Sequence, residues 1–294
     1  MAANLCGDPP VTRAGWIDAH THIWTPDLRK YPLAEGYTAA SMVPRSFTPE
    51  ELFRVTRPAG VERIVLIQMS YYGFDNSYMT DMMAQHPGIF GGVAVVDHHS
   101  PTLVDTMKQL LGQGVRGFRL YPPQDPTSPW LGGDAMARFW QQAAEGDQAI
   151  CLLINPTELP SVDAMCERFP ETRVVIDHFA RIGVSGSIDS ARVDQLCRLA
   201  RHRNVYVKTS AFYALGKKKG PYDDLRPMIR RLRDAFGAGR LMWASDNPYQ
   251  VQPPHVYMDS LLLIRDRLDF LTADEKDQML RGTAARVFFG ENVA

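Results

Sequence analysis

The segment Ile17-Asp18-Ala19-His20-Thr21-His22 sets two imidazoles two residues apart. In an extended strand that spacing sends both rings to the same side. Two imidazoles on one side form half of a divalent-metal site, or a pair of hydrogen-bond donors for a substrate oxygen. Further along, Asp177-His178 and Ser245-Asp246-Asn247-Pro248 add a third imidazole and a carboxylate. Taken singly, His178 reads as a capping or core histidine and Asp246 before Asn-Pro as a turn former. Convergence of three imidazoles and one carboxylate at a single rim is what would mark them as functional.

What could bring them together is a repeating strand and helix unit. Eight short apolar runs, Trp16–His22, Arg63–Ser70, Phe90–Asp97, Val115–Tyr121, Ala149–Asn155, Arg173–His178, Val205–Ser210 and Leu241–Asp246, alternate with longer amphipathic segments. That alternation forces a parallel sheet with helices packed outside it, and eight units in 294 residues match an α/β fold of the (β/α)8 TIM-barrel type. Polar residues gather at the C-terminal ends of the runs, the face where a barrel collects side chains from every strand. Helices are expected over Thr102–Leu111, Asp134–Ala144, Val162–Phe169, Ser190–His202, Asp224–Phe236 and His255–Leu268. Thr48-Pro49-Glu50-Glu51 and Thr272-Ala273-Asp274-Glu275 read as capping boxes. The expected organisation is an N-terminal tail over 1–14 and one barrel domain over 15–294, with Pro122–Gly133 and Ala214–Tyr222 as candidate lids.

Charge narrows the partners. Lys and Arg number 32 against 33 Asp and Glu, so no net field draws nucleic acid or an anionic membrane, and a small-molecule partner is favoured. No run approaches the ~18 continuous apolar residues of a membrane span, and 1–14 lacks the apolar core of a secretory signal. Cys6, Cys151, Cys166 and Cys197 form no CxxC pair and suit a reducing, cytoplasmic setting. Tyr71, Tyr72 and Phe74 after the second run read as exposed apolar residues that could wall a pocket or serve an interface in a homo-oligomer. Lys217-Lys218-Lys219 reads as a solvated loop tip. Of His98 and His99, adjacent and facing opposite ways, only one could share the barrel mouth, so the pair is set aside.

The wording Ile17-Asp18-Ala19-His20-Thr21-His22-Ile23-Trp24, Arg116-Gly117-Phe118-Arg119, Ile176-Asp177-His178-Phe179-Ala180, Lys208-Thr209-Ser210 and Ala244-Ser245-Asp246-Asn247-Pro248 resembles the amidohydrolase superfamily over nearly the whole chain, in the branch that includes sugar-lactone and pyrone-dicarboxylate lactonases. The resemblance implies that Asp246 activates water, that His178 orients or polarises the scissile carbonyl, and that His20 with His22 holds a metal or binds substrate. Metal-binding members carry a further histidine at the end of the fifth strand, where this chain has Asn155. His20, His22 and Asp246 could still hold one Zn2+ or Mn2+ with water completing the shell; no organic cofactor is implied. Arg119 and Lys208 are cations able to pair with a carboxylated substrate, or with a neighbouring acid. Gln68, Ser70, Asn155, Tyr121 and Tyr249 are further polar contacts for a substrate. The expected activity is hydrolysis of a lactone carrying carboxylate or hydroxyl groups. The alternatives are a metal-dependent decarboxylase or amidohydrolase on the same frame, and a barrel that binds a ligand without catalysis.

Overall fold

Strands that are apolar on both sides must be covered on both sides, and here that requirement closes the sheet into a barrel. The computed structural model describes residues 15–123 and 130–291, so the expected tail and half of the candidate lid after the fourth strand lie outside the described residues. Eight parallel strands, β1 Trp16–Thr21, β2 Val61–Ile67, β3 Phe90–Ala94, β4 Val115–Leu120, β5 Ala149–Leu152, β6 Val174–Ile176, β7 Val205–Thr209 and β8 Leu241–Trp243, pair in sequence order. Each expected strand exists, but each leaves the ladder one to three residues before its expected end. Past those points single bonds still cross to the neighbouring strand, as from Gln68 N to Val93 O at 2.8 Å, but the regular ladder stops.

Helices pack outside: α1 Pro49–Thr56, α2 Ser77–Gln85, α3 Leu103–Gly112, α4 Gly133–Glu145, α5 Leu159–Arg168, α6 Ser190–Arg198, α7 Arg226–Phe236, α8 Tyr257–Leu262, α9 Ala273–Asp277 and α10 Thr283–Phe289. Both capping boxes are formed, with Thr48 N donating to Glu51 Oε2 at 2.7 Å and Thr272 N donating to Glu275 Oε2 at 2.8 Å. Two helices went unanticipated, α2 and α10, and neither starts with a capping box. α10 decides which end of the barrel is open. Its Ala284, Ala285, Val287 and Phe288 pack with Ile17, Ala19, Val65, Ile67, Val93, Ala149, Cys151, Val175, Met242 and Ala244, filling the barrel interior. Gly91 of β3 leaves room for it, since a Cβ there would lie 3.1 Å from the Phe288 carbonyl oxygen. With one end plugged, the cavity forms at the other.

A bulge in β1 aims the histidines. Between Asp18 and Thr21 the strand spends three steps against two in β2, where Asp18 faces Ile64 and Thr21 faces Leu66. The added residue lets Ile17 and Ala19 fill the interior while His20 and His22 also turn inward, a known use of bulges beside active sites. Asp18 is left pointing outward but fully buried. It accepts hydrogen bonds from Ser245 N at 2.9 Å, His20 N at 3.3 Å and Tyr257 Oη at 2.8 Å. Together with Asp246 N to His20 O at 2.9 Å and His22 N to Asn247 O at 2.8 Å, these bonds tie β8 back to β1.

Tyr71 and Tyr72, expected as surface residues, are buried and only Phe74 is exposed. A 3-10 turn over Ser70–Tyr72 folds Tyr71 edge-on against Trp24 and lets the Tyr72 hydroxyl accept from Thr25 N.

Burial raises the Asp18 carboxyl to about 6, against the hydrogen bonds from Ser245, Tyr257 and His20. A folded-state value above the unfolded one means that protonated Asp18 favours the fold. That contribution is complete below pH ~4 and is lost as pH rises through ~6, a swing of roughly 3 kcal/mol. Asp18→Asn is therefore expected to gain stability relative to wild type between pH 4.5 and 8. Denaturant midpoints at the two pH values check this, and parallel profiles for the two proteins would contradict it.

Candidate active site

Asp246 sits at the centre, just past β8, with φ 67° and only 6% exposure. Left-handed backbone is costly for a residue with a Cβ, so its persistence there marks a position held by its surroundings. Its Oδ1 lies 3.5 Å from His20 Nε2 and 3.3 Å from His22 Nε2. Its Oδ2 accepts from the Tyr213 hydroxyl at 2.6 Å and stands 3.8 Å from His178 Nε2. The rings of His20 and His178 are 4.5 Å apart and those of His20 and His22 5.1 Å. The structure thus gathers all four residues from three strand ends.

Neighbouring groups settle which nitrogens carry protons. The Lys208 ammonium can only donate, so His20 Nδ1, 3.1 Å away, accepts, and its ring proton sits on Nε2 toward Asp246. His22 Nδ1 donates to the Ile67 carbonyl at 2.9 Å. His178 Nδ1 donates to Ser210 Oγ at 2.8 Å, which in turn donates to the Lys208 carbonyl, leaving a lone pair on His178 Nε2. His178 opens a run of four residues, His178 to Arg181, with φ between 52° and 58°. This left-handed turn costs about 1–2 kcal/mol per residue, and it ends β6 abruptly.

Beneath this layer lies Asp177, fully buried. Lys208 Nζ is 3.0 Å from its Oδ1, Arg119 Nη2 is 3.2 Å from its Oδ2, and His20 Nδ1 is 3.5 Å away. Arg119 and Lys208 therefore do pair with a neighbouring acid. Lys208, fully buried and 5.2 Å from the Phe288 ring centroid, does not reach the cavity, whereas Arg119 does.

Burial by itself would raise the Asp246 carboxyl, as expected from the residue alone. The His178, His22 and His20 imidazoles outweigh it and hold Asp246 below the ordinary carboxylate range. Asp177 is likewise held well below that range by Lys208, His20 and Arg119 against the cost of burial. Burial lowers His178 to about 4, so at neutral pH an ionised Asp246 faces a neutral His178.

The cavity above Asp246 has a volume of about 460 Å³, within the range of small-molecule sites. His22, His178, Asp246, Arg119, Gln68, Ser70, Tyr121 and Tyr249 line it; His20, Lys208 and Asn155 do not. β5 ends early, so Leu153 takes the lining position, and Asn155 is exposed at the start of a 3-10 turn. Of the second candidate lid, Ala214 and Leu215 reach the cavity, while Lys217, Lys218 and Lys219 are exposed outside it. Residues 124–129 of the first lie outside the described residues. The lining residues that were missed include Tyr213, one position before the expected lid, and Arg181, exposed at the mouth with no ion pair among the described residues. Position just beyond a strand end was the available signal for both.

His20, His178 and Asp246 each offer a donor atom, all within 4.8 Å of one another. Three protein ligands with an open position are what a catalytic divalent metal uses, and the residues fit one once the His20 ring proton moves from Nε2 to Nδ1, 3.5 Å from Asp177 Oδ1. The set differs from the expected His20, His22 and Asp246. Arg119 Nη2, 3.4 Å from His20 Nε2, is a cation beside that position.

Lys208→Met is expected to cost about 3 kcal/mol of stability or more, because it strips a buried carboxylate of its nearest cation. Lys208→Met with Asp177→Asn should recover most of that loss in the same unfolding assay. Additive losses would show the pair to be uncoupled.

The family model described as amidohydrolase matches residues 17–290. The chain is 29% identical over 239 residues to an L-fucono-1,5-lactonase of Burkholderia ambifaria, covering 79% of this chain and 80% of that one. It is 26% identical to a 2-pyrone-4,6-dicarboxylate hydrolase of Comamonas testosteroni, covering 95% and 92%. A crystal structure of an amidohydrolase from Burkholderia multivorans with bound zinc superposes with a TM-score of 0.78 at 23% identity, covering 94% and 99%. With β1, β6 and β8 bringing His20, His22 and His178 around Asp246, and with the family match running almost from end to end, this chain belongs to the amidohydrolase family.

Proposed function

We propose that this barrel hydrolyses a lactone bearing carboxylate or hydroxyl groups, with Asp246 assisting attack by water. The activity is that of a hydrolase, in keeping with lactone-cleaving relatives such as the L-fucono-1,5-lactonase and the 2-pyrone-4,6-dicarboxylate hydrolase. The observation that carries the reading is the 3.8 Å gap between Asp246 Oδ2 and His178 Nε2, two acceptors at the cavity floor. That gap is too long for a hydrogen bond between them. One water donating to both acceptors spans it, with its own lone pairs free to attack.

The water proton passes to Asp246 as the oxygen bonds to the lactone carbonyl carbon, and the carbonyl oxygen becomes an oxyanion. Arg119, which lines the same cavity, stands where that charge can be stabilised. His20 is walled off from the cavity and acts on Asp246, fixing the carboxylate through Nε2. Arg181 at the mouth suits a substrate carboxylate. The buried thiols of Cys151 and Cys166 suit a cytoplasmic enzyme.

A divalent ion would be held by His20, His178 and Asp246 and would supply Lewis-acid polarisation of the carbonyl. Two imidazoles and a carboxylate favour zinc over manganese.

Turnover of at least one member of a panel of sugar lactones and carboxylated unsaturated lactones is expected. Asp246→Asn should lower kcat on it by about 10²–10⁴-fold with the fold intact. A silent panel, or a variant that keeps wild-type kcat, counts against the reading. Calorimetric zinc titration should give weak binding to the wild type, tightened at least about tenfold in Arg119→Met by removal of the neighbouring cation. Equal affinities would show that Arg119 does not oppose the ion.

A further inference from the structure

Ring opening needs a second proton transfer that the groups named so far do not deliver. When the tetrahedral intermediate collapses, the carbon–oxygen bond of the ring breaks and its electron pair goes to the ring oxygen. If that oxygen belongs to an aliphatic alcohol, an unprotonated alkoxide is a poor leaving group and must be met by a proton as it departs.

Tyr213 is the group placed to meet it. Its backbone follows β7 in a short 3-10 turn, Phe212–Ala214, entered through Ala211 at φ 54°. The side chain lines the cavity, and its hydroxyl donates to Asp246 Oδ2 at 2.6 Å, the oxygen that faces His178. Its ring is held beside Tyr249 and His255, with centroids 6.2 and 5.9 Å away. We infer that Tyr213 is a catalytic residue that relays the proton from Asp246 to the departing ring oxygen, which marks the substrates as lactones with an aliphatic alkoxide leaving group.

The proton count closes. Asp246 takes a proton from water during attack, and its new O–H then donates to Tyr213 Oη. The tyrosine hydroxyl turns to the ring oxygen and gives up its own proton as it accepts that of Asp246. The ring C–O bond breaks, the oxyanion re-forms a carbonyl, and both side chains end as they began. The 2.6 Å hydrogen bond couples the two transfers, so no free phenolate is needed.

This inference rests on the lactonase reading, and a leaving-group series separates the two. Wild type and Tyr213→Phe are compared on a lactone that releases an aliphatic alcohol and on one that releases a phenol or enol. With the alcohol, kcat should fall by roughly a hundredfold or more, and the wild-type solvent isotope effect should shrink in the variant. With the phenol or enol, the loss should stay below about tenfold. An equal loss on both substrates overturns the relay and leaves Tyr213 as a group that merely orients Asp246, while lactone hydrolysis stands. Absence of wild-type turnover on both overturns the lactonase reading itself.

Discussion

A fully buried carboxylate, Asp177, balanced by Lys208 and Arg119, is the interaction on which the site rests. A charge in a barrel interior survives only with opposite charge in contact, and here both countercharges come from other strands. Each partner has a second task. Lys208 also sets the proton of His20 through Nδ1, and Arg119 also reaches into the cavity. Charge neutralisation in the layer below therefore dictates the protonation pattern in the layer above. The order is Lys208 donating to His20, and His20 directing Nε2 at Asp246.

The same logic explains why Asp246 remains a carboxylate where burial would favour the neutral acid. Three imidazoles and a phenol converge on its two oxygens, arriving from three backbone segments: the end of β1 and the turns after β6 and β7. A base held this low is weak by equilibrium measure, so positioning has to do what basicity does not. In the proposed reaction, water between Asp246 and a neutral His178 would lose its proton only as it bonds to carbon, and the acceptors would need no reorganisation. The backbone is strained where this matters: Asp246, Ala211 and the His178 to Arg181 run all sit at positive φ. Packing elsewhere in the barrel, above all α10 against the interior strands, compensates for that strain.

Much of this was legible in the order of residues. Alternation of apolar runs with amphipathic segments determines a parallel sheet, because strands apolar on both sides need helices on the outside and cannot be joined by hairpins. The polar strand ends then name His20, His22, His178 and Asp246, and the capping boxes at Thr48 and Thr272 mark helix starts through purely local bonds. Local periodicity and local hydrogen bonding are properties of the chain itself, so they can be read without coordinates.

Only the folded barrel decided the rest. The bulge after Asp18 turns both Ala19 and His20 inward, which strict alternation along β1 does not produce. Early strand ends replace Asn155 with Leu153 at the cavity and bring Arg181 to its mouth. Tyr213 reaches Asp246 across 33 residues of chain, and Asp177 reaches Arg119 across 58. Such contacts depend on register, on strand termination and on which charge lies beneath which. Those are set by the balance of the whole core, and no window of sequence contains them.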